Sequence, residues 1–222
     1  MDAVILLNKP AGMTSFDAVA KCRRIFHERK IGHTGTLDPE ASGLMIILLG
    51  KYTKLLPYCV KNHKAYQATL KLGEMTDTED IWGTIINTKT PSIHTEAEID
   101  NAVQSLTGDI LQVPPMYSAL KKDGKKLYEY ARQGIEIERE ARPVHISSLE
   151  VEKIDEINYR MNAVVSSGTY IRTLITDFGK QLDELAIMSS LVRTKIEHLS
   201  LKDACTFEDL ESGKSFLSPI QV

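Results

Sequence analysis

The sequence predicts an α+β fold: a mixed, largely antiparallel central sheet flanked by helices. Runs with strand character alternate with segments whose apolar residues recur at helical spacing. Several strand-like runs follow one another closely, as hairpins do, which suits an α+β sheet better than a doubly wound one. Neither Gly-x-Gly-x-x-Gly nor a phosphate-loop pattern occurs, so no nucleotide cofactor is indicated.

The elements follow in order. Val4-Ile5-Leu6-Leu7 has strand character, and Asn8 to Ser15 is a turn ending in hydroxyl residues able to cap a helix. Phe16, Val19, Cys22 and Phe26 then recur at helical spacing, with Lys21, Arg23 and Arg24 facing elsewhere. Leu44-Met45-Ile46-Ile47-Leu48-Leu49 is a buried strand. From Lys64 to Gly73 the pattern alternates, with Tyr66, Ala68, Leu70 and Leu72 on one face and Gln67, Thr69 and Lys71 on the other. Thr76-Asp77-Thr78-Glu79-Asp80 is an acidic turn, and Trp82 to Ile86 resumes strand character. Thr95 to Glu98 is a capping box ahead of the stripe Ile99, Val103 and Leu106, with Gly108 as the stop. Val113-Pro114-Pro115-Met116-Tyr117 breaks the pattern. A polar, flexible arm from Lys121 to Lys126 leads on to Tyr128, Tyr130 and Arg132. Strands are expected at Val144–Val151 and Tyr159–Val165, then a helix carrying Ile171, Leu174, Ile175, Phe178, Leu182 and Leu185.

A chain of 222 residues suits one sizeable domain, or one with a small appendage. Its 42% hydrophobic and 26% charged residues are those of an ordinary globular protein. No apolar run reaches membrane-spanning length and no secretory signal is seen, so no membrane is expected as a partner. Cys22, Cys59 and Cys205 are odd in number and far apart, which argues against a disulfide framework or zinc site and for a reducing, cytoplasmic setting. Net charge is −3 but uneven: residues 1–64 hold ten Lys/Arg against five Asp/Glu. Lys9, Lys21, Arg23, Arg24, Arg29, Lys30, Lys51, Lys54, Lys61 and Lys64 make this half basic, which fits a polyanionic substrate or an ordinary solvated surface.

Gly32-His33-Thr34-Gly35-Thr36-Leu37-Asp38-Pro39 places a carboxylate in a Gly/Thr/Pro-rich loop just before the buried strand. Asp38 could bond its own turn, or act as nucleophile, general base or metal ligand. The metal role is the weakest, because His27, His33, His63, His94, His145 and His198 lack ligand spacing. Thr76 to Asp80 likewise lacks the glycine and distal glutamate of a calcium loop. Tyr66 lies on the apolar face of its strand, where a core tyrosine is the ordinary reading. Arg172 lies one turn into its helix, and there a buried arginine needs a carboxylate partner, a part Asp38 could take.

Six segments together resemble, in order, the motifs of the TruB-type tRNA pseudouridine synthases. They are Lys9-Pro10-Ala11-Gly12-Met13-Thr14-Ser15, the Gly32–Pro39 loop, Lys64-Ala65-Tyr66, Thr76–Asp80, Gln112-Val113-Pro114-Pro115-Met116-Tyr117-Ser118-Ala119 and Ser167-Gly168-Thr169-Tyr170-Ile171-Arg172. The resemblance implies a pseudouridine synthase catalytic fold over residues 1–222, with a thumb-like RNA-clamping arm at about 112–140. It implies Asp38 as nucleophile, Tyr66 stacked on the flipped uracil and placed to move a proton, and Arg172 paired with the nucleophile. His33 would sit against the opened RNA loop, and Tyr170 and Leu191 would line the uridine pocket. The implied activity is isomerisation of U55 in the tRNA T-loop, with the T-arm stem-loop as partner; a monomer is expected, and the chemistry needs neither metal nor other cofactor. Bacterial members usually continue into a PUA-type RNA-binding domain, whereas this sequence ends at Ser218-Pro219-Ile220-Gln221-Val222. The expectation is that the T-arm is still recognised, with weaker contacts toward the acceptor end.

Isomerising uridine breaks the N1–C1′ bond, rotates the base and rejoins it through C5. The base must first leave the stack, at about a few kcal/mol, which stacking on Tyr66 and filling of the vacated space by His33 would offset. A carboxylate can start the reaction at uracil C6 or at ribose C1′, and Asp38 serves both routes. A synthase for another RNA and a tRNA-binding or folding module with secondary catalysis are the competing readings. The intact set Asp38, Tyr66 and Arg172 favours an enzyme. An aspartate-nucleophile hydrolase would want a phosphate loop or metal cluster, which the sequence lacks.

Overall fold

The computed structural model describes residues 1–59 and 63–213. Lys61 and the closing segment Ser218–Val222 lie outside the described residues. The chain begins with β1 (Ala3–Lys9), α1 (Ser15–Phe26), β2 (Ile31–His33) and β3 (Ser42–Leu49), then a 3₁₀ segment at Gly50–Tyr58. It continues with β4 (Lys64–Leu72), β5 (Glu74–Thr76), β6 (Ile85–Thr88), α2 (Glu96–Ser105) and β7 (Gly108–Gln112). After these come β8 (Lys121–Lys122), β9 (Lys125–Lys126), α3 (Leu127–Ala131), β10 (Arg142–Lys153), β11 (Asn158–Val165) and α4 (Ile171–Gln181). The last elements are β12 (Ala186–Ile196), β13 (Leu199–Ser200) and α5 (Phe207–Glu211). The chain divides into two compact units, Met1–Gln67 with Ser190–Val222, and Ala68–Ser189.

In the first unit the expected apolar run is β3, buried from Gly43 to Leu49. A strand is apolar throughout when both of its faces are covered, and both edges of this one are paired. β1 runs antiparallel to it (Leu7 opposite Met45), β2 runs antiparallel at its far end (His33 opposite Ile47), and β12 joins it in parallel (Arg193 opposite Gly43). Strand order in this unit is β1-β3-β12-β4. Leu44, Ile46, Leu48 and Ile196 form a core against Val4, Leu6, Leu55 and Leu56, each fully buried aliphatic contributing roughly 1.5–3 kcal/mol. Thr14 and Asp17 form a full capping box on α1, as the hydroxyl-rich turn predicted. One expectation fails here. The buried stripe of α1 is Ser15, Ala18, Val19 and Cys22, and Phe16, about 100° away around the helix, is 68% exposed.

The second unit carries strand order β4-β11-β10-β7, with β10 antiparallel to both neighbours. On β4 the alternation holds: Ala68, Leu70 and Leu72 are buried. The strand expected from Trp82 starts only at Ile85, because two carboxylates hold the preceding residues in a turn. Asp80 accepts from the Trp82 amide at 3.1 Å and Asp77 from the Thr84 amide at 2.7 Å. Helix α4 likewise stops at Gln181 rather than reaching Leu185, since the Gly179 carbonyl accepts from both Leu182 and Glu184 and Asp183 takes φ 54°. The polar arm is a two-residue hairpin of β8 and β9, turned at Asp123 and Gly124 (φ 52° and 81°), followed by α3. No helix among the described residues is long and apolar enough to cross a membrane.

Gly43 shows how tightly the parallel contact of β3 and β12 is drawn. Its φ is +111°, and a Cβ there would lie 2.4 Å from the Arg193 carbonyl oxygen and 2.7 Å from its nitrogen. Gly43→Ala should lower the unfolding free energy by more than about 2 kcal/mol in urea titration. Wild-type stability in that variant would contradict the close approach.

Candidate active site

The loop that presents Asp38 leaves β2 at His33 and enters β3 at Ser42. A loop that turns this sharply directs carbonyls inward with no strand to receive them, and buried carbonyls need donors. Buried side chains supply them. Arg193, 1% exposed, donates from Nε to the Leu44 carbonyl (2.7 Å), from Nη2 to Gly35 (3.2 Å) and, at the long limit, from Nη1 to Thr36 (3.5 Å). Lys9 is fully buried at the end of β1, and its ammonium donates to the carbonyls of Met13 (2.7 Å), Pro10 (2.8 Å) and Pro39 (3.1 Å). Ser15 accepts from the Leu37 amide (2.9 Å) and donates to the Leu37 carbonyl (3.0 Å). Backbone bonds from Gly12 to Pro39 (3.0 Å) and from Ala41 to Asp38 (3.1 Å) close the loop. Asp38 is thus fixed from the residue before it, the residue after it and its own carbonyl.

Burying cations without partners would cost several kcal/mol each, whereas charge-assisted hydrogen bonds return roughly 1.5–3 kcal/mol apiece. The strain of burial still shows. Burial pushes the Lys9 amine down to about 8, with Arg193 acting the same way and the charges of Glu40 and Asp38 opposing it. Lys64, at the start of β4, is buried too and falls to about 8, first through burial and then through Arg193. The Asp38 loop therefore stands in a field of three buried or nearly buried cations. No cluster of three or more His, Cys, Asp or Glu among the described residues could hold a metal ion.

The other predicted residues of this unit are His33, Tyr66 and Leu191. His33 is half-buried on β2, and burial, helped by Arg193, lowers its pKa and favours a neutral ring. Tyr66 is half-buried on β4, on the face shared with Lys64 and Ala68, so it is less enclosed than a core tyrosine. Leu191 is 7% exposed on β12, two residues before Arg193 and on the same face.

Arg172 and Tyr170 belong to the second unit. Residues 171–175 at the start of α4 are all buried, Arg172 among them at 5% exposed. Nη1 donates to the Thr78 carbonyl at 2.8 Å and Nη2 to the Tyr117 carbonyl at 2.9 Å. Gln112, 2% exposed, clamps Tyr170 from both sides: its Oε1 accepts from the Tyr170 amide (2.8 Å) and its Nε2 donates to the Tyr170 carbonyl (3.1 Å). That amide does the work of a helix cap where Tyr170 has no capping side chain. Thr173 donates to Glu79 at 2.8 Å, and burial raises the Glu79 carboxyl despite this bond and the charge of Arg172. The acidic turn, the Gln112 segment and the Arg172 segment thus meet around one guanidinium.

Residues 23–171 match the model of the "TruB family pseudouridylate synthase (N terminal domain)". The chain is 48% identical over 211 residues to tRNA pseudouridine synthase B of Clostridium perfringens, covering 95% of this chain and 72% of that protein. It is also 48% identical over 220 residues to the protein of the same name from Geobacillus thermodenitrificans, with the same shares covered. Among solved structures, a chain of a Cbf5–Nop10–Gar1 complex superposes with a TM-score of 0.74 at 30% identity. The match covers 95% of this chain but spans about half (54%) of that one.

The buried lysine gives the loop a measurable signature. Below about pH 8 the ammonium of Lys9 has three N–H donors for three carbonyls, and above it the neutral amine has two. The amide of Gly12, which donates to Pro39, should therefore shift in NMR spectra with a midpoint near 8. A midpoint at the ordinary lysine value, about 10.4, would contradict a buried Lys9.

Proposed function

The chain belongs to the TruB family of pseudouridylate synthases, and we propose that it converts U55 in the T-loop of tRNA to pseudouridine, with Asp38 as nucleophile. The observation that carries this is the Asp38 loop itself, whose backbone is pinned on both sides of the acid by Arg193, Lys9 and Ser15. A nucleophile held in one place reduces the entropy lost on reaching the transition state.

The target base leaves the RNA stack and lies against the Tyr66 ring, and Leu191 and Tyr170 are the further residues we assign to uridine binding. His33, kept neutral by burial, fills the space the base vacates without bringing a buried charge. The Asp38 carboxylate adds at uracil C6 or at ribose C1′, and the N1–C1′ bond breaks. The base turns and C5 bonds to C1′, the Asp38–carbon bond (to C1′ or C6) breaks and returns the free carboxylate, the C5 proton passes to a base and N1 gains a proton. Tyr66 is the group we assign to proton transfer. Arg172 is oriented in advance by two carbonyls, and we assign it to the catalytic set. Residues 112–140 act as the RNA clamp: Lys126 and Arg132 lie 5.3 and 5.2 Å from the Tyr128 ring, and Lys125 lies 5.5 Å from Tyr130. The enzyme works as a cytoplasmic monomer.

Tritium release from a T-arm stem-loop labelled at uridine C5 tests the assignment. Wild type should release tritium, and Asp38→Asn should release none while binding the RNA within about tenfold of wild type, since phosphate contacts dominate affinity. Turnover by Asp38→Asn would remove Asp38 as the nucleophile.

A further inference from the structure

The solvent side of α1 carries a feature that the isomerisation does not use. Phe16 is 68% exposed, on a helix that buries Ala18, Val19 and Cys22. Arg23, two turns along, lies over its ring at 5.8 Å from the centroid. The Nε of Arg23 is shielded from solvent and has no hydrogen-bond partner among the described residues. Single exposed aromatics are ordinary; a ring with a guanidinium over one side, its shielded Nε unpartnered, and water on the other is not.

Its position is fixed by the Asp38 loop. Ser15, the preceding residue, bonds both backbone groups of Leu37, and Gly12 in the same turn bonds Pro39. Phe16 therefore rides on the turn that holds the nucleophile. The nearby charges favour an anion. Asp17 is engaged in the capping box and Glu28 by the N-terminal ammonium at 2.8 Å, while Lys21 is neutralised by Glu211 at 3.0 Å. Arg24, Arg29 and Lys30 make no ion pair among the described residues.

We propose that Phe16 and Arg23 form a stacking site for an unpaired nucleotide of the substrate RNA, distinct from the uridine held by Tyr66. The free ring face takes the base, and the guanidinium behind it, with Arg24, takes the adjoining phosphate. This rests on reading the chain as an RNA-modifying enzyme.

The test is fluorescence anisotropy with a T-arm stem-loop and a set of stem-loops carrying one abasic position each in the loop. Phe16→Ala should weaken binding of the intact stem-loop about tenfold, and Phe16→Trp should restore it. One abasic position should weaken binding to wild type but leave Phe16→Ala unchanged. Because Phe16 is outside the core, thermal unfolding should match wild type, and the Trp variant separates a stacking loss from a folding loss. Wild-type affinity in Phe16→Ala, or an equal loss at every abasic position, overturns the proposal. So does normal RNA binding with loss of self-association in sedimentation, which would assign the ring to a second copy of the chain. Binding without tritium release would sink the isomerase reading yet leave the abasic pattern to decide this one; no binding by wild type sinks both.

Discussion

The fixed point of this structure is a buried guanidinium turned toward backbone carbonyls. Arg193 joins the Asp38 loop to the sheet by donating to Leu44 in β3 and to Gly35 and Thr36 in the loop. Other features follow from that placement. The parallel register of β12 on β3 sets Arg193 opposite Gly43, and residue 43 must then be glycine because no Cβ fits. Lys9 closes the other side from the end of β1, so segments near residues 9, 35–44 and 193 become one constrained body. Loop carbonyls that water could otherwise reach are held by donors that do not exchange, which is what the nucleophile proposed at Asp38 needs.

The second unit repeats the solution with different chemistry. Arg172 gathers two carbonyls and Gln112 both polar groups of Tyr170, so each of the family's segments in this unit ends on a backbone contact. In both units long polar side chains organise main chain first. Cations used this way are pre-oriented, and charge-assisted bonds to neutral carbonyls leave the net positive field in place for a polyanionic substrate.

Much of this was legible in the sequence, and the reasons for the exceptions are physical. The Asp38 loop was visible because Gly, Thr and Pro cluster where backbone freedom is otherwise wasteful, and β4 because a period of two survives in Tyr66, Ala68, Leu70 and Leu72. Arg193 was not, since β12 mixes buried and exposed positions without clean alternation and its arginine reads as an ordinary surface charge. The signal available was an arginine directly following Leu191-Val192 in a stretch with strand character. Lys9 belongs to a recognisable motif, yet nothing local says that a lysine beside a proline is fully buried. Gln112 had the same fate, since its partner Tyr170 is 58 residues away. Phe16 recurs at helical spacing with Val19 and Cys22, yet the helix buries a neighbouring stripe instead. The strand expected from Trp82 gave way to Asp77 and Asp80, whose carboxylates outcompete sheet pairing for nearby amides.

The most direct test of this account is the turnover of Arg193→Lys on the T-arm stem-loop, measured beside its RNA affinity and its thermal unfolding. Lysine keeps the charge but cannot span the carbonyls of Gly35, Thr36 and Leu44 with a planar fork. The account predicts a folded variant that binds RNA within about threefold of wild type, because a side chain 1% exposed offers no surface to a phosphate. Its kcat should fall about a hundredfold, the cost expected of a nucleophile displaced by roughly 1 Å. A wild-type kcat in Arg193→Lys would contradict the claim that this buried arginine sets the position of Asp38.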